Sequence, residues 1–569
     1  MKVDFLNREY QVKWWDGEIL PSPIALDTET EVKPFHMVPK MATCQAYAGG
    51  DTCYYIPTAK VTEFLNLHKD CKLIFHNAAF DVRVLEEHTN LSFLDMYKKS
   101  QILDTSLMYR LVHLAVVGWV PFKYNLAMLS EKFLNQKLSK DDGIRMEFGP
   151  YIGREQEIPE EMLTYGALDV LSTYEIYWHL NTEIQKTAST TALSHGIQAA
   201  GDYVLKRIHE NGIGFDLSKR DDWLEIQNKE LRCLESRLAT WGWVRGVKGV
   251  NDRFEAILKF LQIDKELPKT KDGSISSKAE DLEEFKSIPF IADYLRFIEL
   301  EKATTFVRDV CTNEVHPKYN ILVNTGRTSC SKPNFQQLPR MGGIREMFTA
   351  REGKTFLITD YSTLELATLA QVLLDKYGYS IMAEKINNGI DLHKYYASVL
   401  YNIPEEKVSK SERQSAKAAN FGFPGGLGID TFIQFSRGYG LELTRDQAQE
   451  MRTTWFEAFP EMAKYLNGEI GKVITRTGRI RGETTFCAEK NTPFQGLAAD
   501  GAKLALFYLH EAGFKIVGFV HDEVICEVDE DKAEEMRLLQ EKIMIDSMNI
   551  VVPDIKITVE SQISKTYTK

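Results

Sequence analysis

The sequence predicts a multidomain α/β protein on three observations. At 569 residues with 44% hydrophobic content, the chain exceeds what one core organises and should divide into about three or four domains. Short strand-like runs mix with helical stretches at both ends, while the stretch from about 188 to 312 is mostly helical. Apolar runs also stop abruptly at acids, as in GFVHDEVICEV (518–528), where His521, Asp522 and Glu523 interrupt two Val- and Ile-rich segments. No secretory leader pattern opens the chain, and the longest apolar run, His113 to Phe122, is far below the ~18 residues a membrane span needs. A soluble, cytoplasmic protein with no membrane partner is expected. The eight cysteines are scattered without a C-x-x-C pair, which points to reduced thiols rather than zinc or disulfides. A net charge of -12 decides little, because a large enzyme can carry a basic cleft on an acidic body.

Along the chain, residues 1–187 read as an α/β unit, with strands at Pro23 to Leu26 and Lys72 to Phe75. Within the helical stretch 188–312, the loop LPKTKDGSISSK (267–278) combines Pro, Gly, Ser and lysines, either as a solvated connection or as a phosphate-contacting tip. Strands return near 313, a long helical region runs from Ile381 to Tyr465, and strands follow again. That order fits a sheet interrupted by a helical insertion.

Acids at strand ends carry the functional reading. Asp360 ends the run TFLITD and Asp522 ends KIVGFVHD. Singly, such residues are usually turn residues or helix caps. If the strands are neighbours, two carboxylates at ~4 Å would repel by roughly 4 kcal/mol at an effective dielectric of 20. A hard divalent cation, Mg²⁺ or Mn²⁺, removes that penalty and binds phosphate as well. A second set lies near the N-terminus. Asp27 and Glu29 alternate along one strand and share a face. Asp81 follows the next strand, and Tyr165 and Asp169 are four apart on a predicted helix. Together they can build a hydrolytic site for two metal ions.

The segment SERQSAKAANF (411–421) is rich in helix formers and puts Arg413, Lys417 and Phe421 at i, i+4 and i+8. Such a row is either a solvated face or, in a nucleotide enzyme, a triphosphate rail ending in a stacking ring. Asp391 and His393, just upstream, are candidates for a further phosphate contact. FGFPGGLG (421–428) lacks the Gly-Lys-Ser/Thr ending of a phosphate loop, and no G-x-S-x-G or H-E-x-x-H motif occurs.

Taken in order, these motifs resemble family A DNA polymerases of the bacterial DNA polymerase I type, over nearly the whole chain. The resemblance implies a ribonuclease H-like 3′-5′ exonuclease domain (1–187) and a right-hand polymerase domain without a 5′ nuclease. The latter would comprise a thumb (mainly 188–312), palm (313–375 and 497–569) and fingers (376–496). Asp27 and Glu29, then Asn77, Phe80 and Asp81, then Tyr165 and Asp169 match the three exonuclease motifs, which makes Asp27, Glu29, Asp81 and Asp169 metal ligands and Tyr165 a catalytic partner. Asp360, the helix bearing Arg413, Lys417 and Phe421, and His521, Asp522 and Glu523 match the polymerase motifs. The resemblance implies that Asp360 and Asp522 hold two ions, that Arg413, Lys417, Phe421 and His521 meet the nucleotide, and that Glu365 excludes a ribose 2′-hydroxyl. Arg327, in TGRTS, and Gln495, in NTPFQG, are similar to contacts with primer-template DNA. The implied partners are primer-template DNA, deoxynucleoside triphosphates and a single-stranded DNA 3′ end, with the chain acting as a monomer.

Three positions depart from the family pattern: Thr363 and Ala367 in DYSTLELA, where a glutamine and an arginine are usual, and Gly425, where a tyrosine is usual. Compactness and these departures suggest a bacteriophage origin. The motifs are shared in part with single-subunit RNA polymerases, and a nuclease with a vestigial polymerase or a DNA-binding scaffold are the other readings. Glu365 and the complete acid set favour the proofreading DNA polymerase. Lys269, Lys271 and Lys278 are candidate thumb contacts to duplex phosphates. Phe421, where tyrosine occurs in dideoxy-tolerant relatives, predicts discrimination against dideoxynucleotides. Primer extension at equal dideoxy and deoxy concentrations should therefore terminate rarely.

Overall fold

The computed structural model describes all residues except 139–141, 188–190, 271, 340, 469–470 and 569, and Lys271 accordingly lies outside the described residues. The N-terminal domain is built on seven strands: β1 (Lys2–Phe5), β2 (Arg8–Trp14), β3 (Ile24–Thr30), β4 (Met41–Tyr47), β5 (Thr52–Ile56), β6 (Leu73–Phe75) and β7 (Ile102–Asp104). They form one sheet in the order β1-β2-β5-β4-β3-β6-β7. β3 lies inside it, antiparallel to β4 and parallel to β6. Every residue of β4 is buried, as expected of a strand covered on both faces.

Helices α1 (Ala78–Thr89), α2 (Thr105–Val117) and α3 (Glu160–Thr187) pack against this sheet. Asp104, at the end of β7, sets two of them. Its carboxylate accepts from the backbone N–H groups of Ser106 (2.8 Å) and Leu107 (3.2 Å) at the start of α2, and from Asn77 (3.2 Å) and Ala78 (2.8 Å) at the start of α1. One buried anion thus satisfies four otherwise orphaned donors.

Helix α4 (Thr191–Asn211) joins the two halves of the molecule. It packs on α1 through a buried ionic cluster: Arg83 reaches Glu86 (2.8 Å) and Glu210 (2.9 Å), and Glu86 also accepts from Arg207 (2.8 Å) and the Tyr203 hydroxyl (2.8 Å). Beyond it, α5 (Leu217–Thr240) and α6 (Pro289–Asp309) share an apolar cluster with Phe254 and Leu258 that is separate from the main core. The thumb-like unit therefore has its own core, which begins near Leu231 rather than at 188, because α4 belongs to the junction.

The C-terminal sheet contains β8 (Lys354–Tyr361), β9 (Lys515–Val520), β10 (Glu523–Asp529) and β11 (Val559–Ser564), all antiparallel, in the order β9-β10-β8-β11. The period of two is visible in the packing. Phe356 and Ile358 join Val517, Ile525 and Tyr567 on one face, while Leu357 and Tyr361 join the helical core on the other. That second face is covered by α7 (Leu364–Tyr377), α9 (Phe486–Glu511) and α10 (Ala533–Val551), and α8 (Lys410–Gly422) stands in the helical insertion between the strands. The expected palm–fingers boundary at 496/497 falls inside α9, a continuous helix of 26 residues.

A buried polar cluster fastens α9 to α4. Asp500 accepts from Arg479 (2.5 Å), Thr477 (2.5 Å) and Gln198 (3.0 Å), while Lys503 donates to Gln198 (2.5 Å) and to the Gly326 carbonyl (2.6 Å). Burial pulls the Lys503 ammonium down to about 7. Asp500→Ala strands two buried cations and should cost about 3–5 kcal/mol in chemical denaturation, whereas Asp500→Leu combined with Arg479→Met should cost much less.

Candidate active sites

The first site opens beside β3. Asp27, Glu29 and Asp169 bring carboxylate oxygens within 4.8 Å of one another. Asp81, on the first turn of α1, completes the group. Its carboxylate accepts from the Thr28 backbone N–H (3.0 Å) and hydroxyl (2.7 Å), which places it against the middle of β3. Burial first, and the nearby Asp27 charge second, push the Asp81 carboxyl well above the usual carboxylate range. Tyr165 stands one turn before Asp169 on α3, and the close approach of that helix depends on Gly166. A Cβ there would lie 2.4 Å from Gln45 Nε2 and 2.6 Å from the Tyr55 hydroxyl. A cavity of about 740 Å³ is lined by Asp27, Glu29, Asp81, Tyr165 and Asp169, with Asn77 and Phe80 beside them. The structure thus brings together every residue read from the N-terminal motifs. An all-oxygen, strongly anionic donor set fits a hard divalent cation.

The second site lies at one end of the C-terminal sheet. β8 and β10 pair so that Thr359 faces Val524 and Ile358 faces Ile525, which carries Asp360 to the level of Glu523 at the strand ends. Asp522 occupies the turn between β9 and β10, next to His521, whose φ of 62° makes the reversal. Glu523 is buried and accepts from the Tyr567 hydroxyl at 2.6 Å. Arg327 forms an ion pair with Glu365 at the start of α7. Burial lowers the Arg327 guanidinium, and the Asp522 charge opposes that shift.

Helix α8 starts in a capping box made by Ser409 and Glu412, which fixes its first turn and hence the direction of its cationic face. Arg413 pairs with Asp391 at 2.8 Å, and Lys417 Nζ lies 5.9 Å from the Phe421 ring centroid. His393 sits 5.5 Å from the same ring, centroid to centroid, with its Nδ1 accepting from Asn420 at 3.0 Å. It is only 1% exposed, and burial lowers it to about 4, so a phosphate would meet a neutral, packed imidazole there rather than a cation. Gln495 lies on α9 and donates to Asn491 at 3.4 Å.

The departures have local reasons. A Cβ at Gly425 would stand 2.5 Å from Asn491 Nδ2, so Asn491 fills the space a larger residue would need. Ala367 is buried in the main core, and Thr363 takes a left-handed φ of 51° as α7 begins. Lys269 and Lys278 are exposed, Lys269 in a bridge with Ile275 and Lys278 at the start of the short helix Ala279–Leu282. The sequence reading missed Phe122, Lys123 and Tyr124, which line the first cavity. Their signal was the apolar run ending at Phe122.

The structure thus places a carboxylate cluster at the N-terminal sheet and acids at one end of the C-terminal sheet, with a helix carrying Arg413 and Lys417 in the insertion between its strands. Comparison with known proteins gives the family. The family described as DNA polymerase family A matches residues 251–569, and the one described as 3′-5′ exonuclease matches residues 6–185. DNA polymerase I of Aquifex aeolicus is 32% identical over 324 residues, covering 53% of this chain and 55% of that protein. DNA polymerase I of Chloroflexus aurantiacus is 28% identical over 439 residues, covering 70% and 46%. The chain spans about half the length of these curated relatives. The polymerase domain of Pol1 from M. smegmatis, solved with DNA primer-template and dNTP, superposes with a TM-score of 0.74 at 21% identity, covering 96% of this chain and 95% of that one. The chain belongs to DNA polymerase family A, with an N-terminal exonuclease domain ahead of the polymerase domain.

Asp81 generates a pH prediction. Its raised carboxyl favours the protonated form in the folded state, so the associated stability is present at low pH and is lost as pH rises through and above the usual carboxylate range. In chelator, Asp81→Asn should melt above wild type at neutral pH, with the difference closing as the pH falls. Divalent cation should raise the melting temperature of wild type more than that of the variant.

Proposed function

We propose that this protein is a template-directed DNA polymerase that extends a primer 3′ end and removes mispaired nucleotides through its 3′-5′ exonuclease domain, in DNA replication. The observation that supports it most directly is the carboxylate cluster of Asp27, Glu29 and Asp169, within 4.8 Å of one another, in one domain, together with Asp360 at the end of β8 beside the β9–β10 turn that carries Asp522 in the other. Mg²⁺, with Mn²⁺ as a substitute, would supply the charge that activates the attacking oxygen and stabilises the leaving group in each site. Asp360 and Asp522 would hold the ions in the polymerase site, and Asp27, Glu29, Asp81 and Asp169 those in the exonuclease site.

The chain's own residues divide the remaining work. In the polymerase site Lys417 and Arg413 grip the triphosphate from one face of α8, and Phe421 offers its ring to the incoming base. Arg413 must release Asp391 to do so, and Arg327 must turn from Glu365 to meet the primer end. His521 stands next to Asp522 in the tight turn. Glu523, fixed by Tyr567, keeps the end of β10 in place, and Glu365 closes the space of a 2′-hydroxyl. Gln495 reads the minor groove from α9. In the exonuclease site Tyr165 orients the attacking water against the terminal phosphodiester. The protein works as a monomer in the cytoplasm, and the motif departures at Thr363, Ala367 and Gly425 fit a bacteriophage enzyme acting in an infected bacterium.

Extension of a labelled primer with Mg²⁺ and four deoxynucleotides tests this reading. Asp522→Ala should slow growth of the primer by about 10²-fold or more while shortening persists, and Asp27→Ala should do the reverse. A wild-type protein that only shortens the primer would remove the polymerase assignment.

A further inference from the structure

The segment joining α2 to the exonuclease cavity exposes an unusual amount of apolar surface. Val116, Val117, Trp119 and Phe122 are 57%, 42%, 43% and 94% exposed. Trp119 and Phe122 stand 6.2 Å apart, centroid to centroid, and Phe122 is at the same time a wall of the carboxylate cavity, next to Lys123. An exposed aromatic cluster of this kind on a polar surface marks a contact site.

The backbone of the segment is tied down at Gly118, Trp119 and Val120. His113 Nδ1–H donates to the Trp119 carbonyl at 2.8 Å, and its ring packs edge-on against Trp119 at 4.6 Å. From the polymerase domain, Arg481 donates to the Gly118 carbonyl at 2.9 Å and the Gly482 N–H to the Leu114 carbonyl at 2.9 Å. Gly118 is required there, since its φ is 86° and a Cβ would lie 2.4 Å from the Glu483 carbonyl oxygen. The third tether identifies the neighbour. The Val120 N–H donates to Asn324 at 2.7 Å, and Asn324 lies on the tight turn closed by Val323 and Arg327, whose N–H and carbonyl meet at 2.9 Å. The same turn therefore grips the aromatic segment with one residue and presents Arg327 to the polymerase site with another.

We propose that Trp119 and Phe122 form a stacking ledge for the unpaired bases of a DNA 3′ end, which draws a mispaired primer terminus out of the duplex and into the exonuclease cavity. The proposal rests on the polymerase and exonuclease reading above. A ring face exposed at the mouth of the cavity suits a nucleobase, because every base offers a π-face and stacking on an aromatic residue is insensitive to sequence. Lys123 beside it offers a cation to the phosphate. The bases gain on the ledge what they lose by leaving the helix, and a mispaired end has the least to lose.

The experiment compares excision of three Mg²⁺-dependent substrates: a single-stranded oligonucleotide, a primer with a mispaired terminus, and a fully paired primer. Wild type, Phe122→Ala, Phe122→Tyr and the double variant Trp119→Ala with Phe122→Ala are measured, with melting temperatures as a check on folding. Loss of one stacked base is worth roughly 5- to 150-fold. With enzyme in saturating excess, so that every substrate starts bound and only the primers must leave a paired state, Phe122→Ala should slow mispaired-end excision about tenfold or more, with a loss at least threefold smaller on the single strand, and Phe122→Tyr should restore the ratio. Equal losses on all substrates, or no loss on any, would overturn the ledge. So would concentration-dependent self-association in sedimentation that the double variant abolishes while the excision ratio stays fixed, since the patch would then be an interface between copies. Wild type that shortens none of the substrates removes the exonuclease reading itself and is distinguishable from all of these.

Discussion

The N-terminal carboxylate cavity holds like charges close together, and the architecture around it can be understood as the restraint this demands. Carboxylates a few ångströms apart repel by several kcal/mol even at an effective dielectric of 20. Flexible loops would simply let them separate. Here Asp27 and Glu29 are mounted on β3, in the interior of a seven-stranded sheet. Asp81 is held against β3 by two hydrogen bonds from Thr28, and Glu523 by Tyr567. The raised Asp81 carboxyl reflects its burial first and the crowding by Asp27 second, and a divalent cation would relieve the crowding.

Much of this was legible in the sequence because alternation and helical spacing are local. Asp27 and Glu29 share a face by the period of a strand, and Tyr165 with Asp169 by the period of a helix, and the structure mounts them so. Asp104 shows where such reading stops. It too is an acid ending an apolar run, yet it caps two helices through four backbone N–H groups and is not in the carboxylate cluster. Nothing in its neighbours along the chain separates it from Asp27. Which acids converge is decided by contacts between segments far apart in sequence, and only the ordered resemblance to a family picked Asp27, Glu29, Asp81 and Asp169 over Asp104 beforehand.

His393 marks a different limit. Its position just upstream of the cationic helix made it a candidate phosphate contact, but its environment comes from Asn420 and Phe421 on another helix, and burial leaves it neutral. The thumb boundary shifted for a similar reason. Composition sees a helical stretch beginning near 188, whereas the packing assigns the first of those helices to the junction. Gly425 is explained only by Asn491, 66 positions away, whose side chain occupies the adjoining space.

Helix α4 makes the two halves of the protein interdependent. Its Arg207, Tyr203 and Glu210 complete the ion cluster of Arg83 and Glu86, and its Gln198 completes that of Asp500 and Lys503. A fragment ending before this helix would expose Glu86 and Arg83 to water without their partners, and one beginning after it would leave Asp500 and Lys503 short of theirs. Neither half is therefore a portable module. Grafting the editing domain onto a different polymerase would require transplanting α4 and repairing the charges at both of its faces.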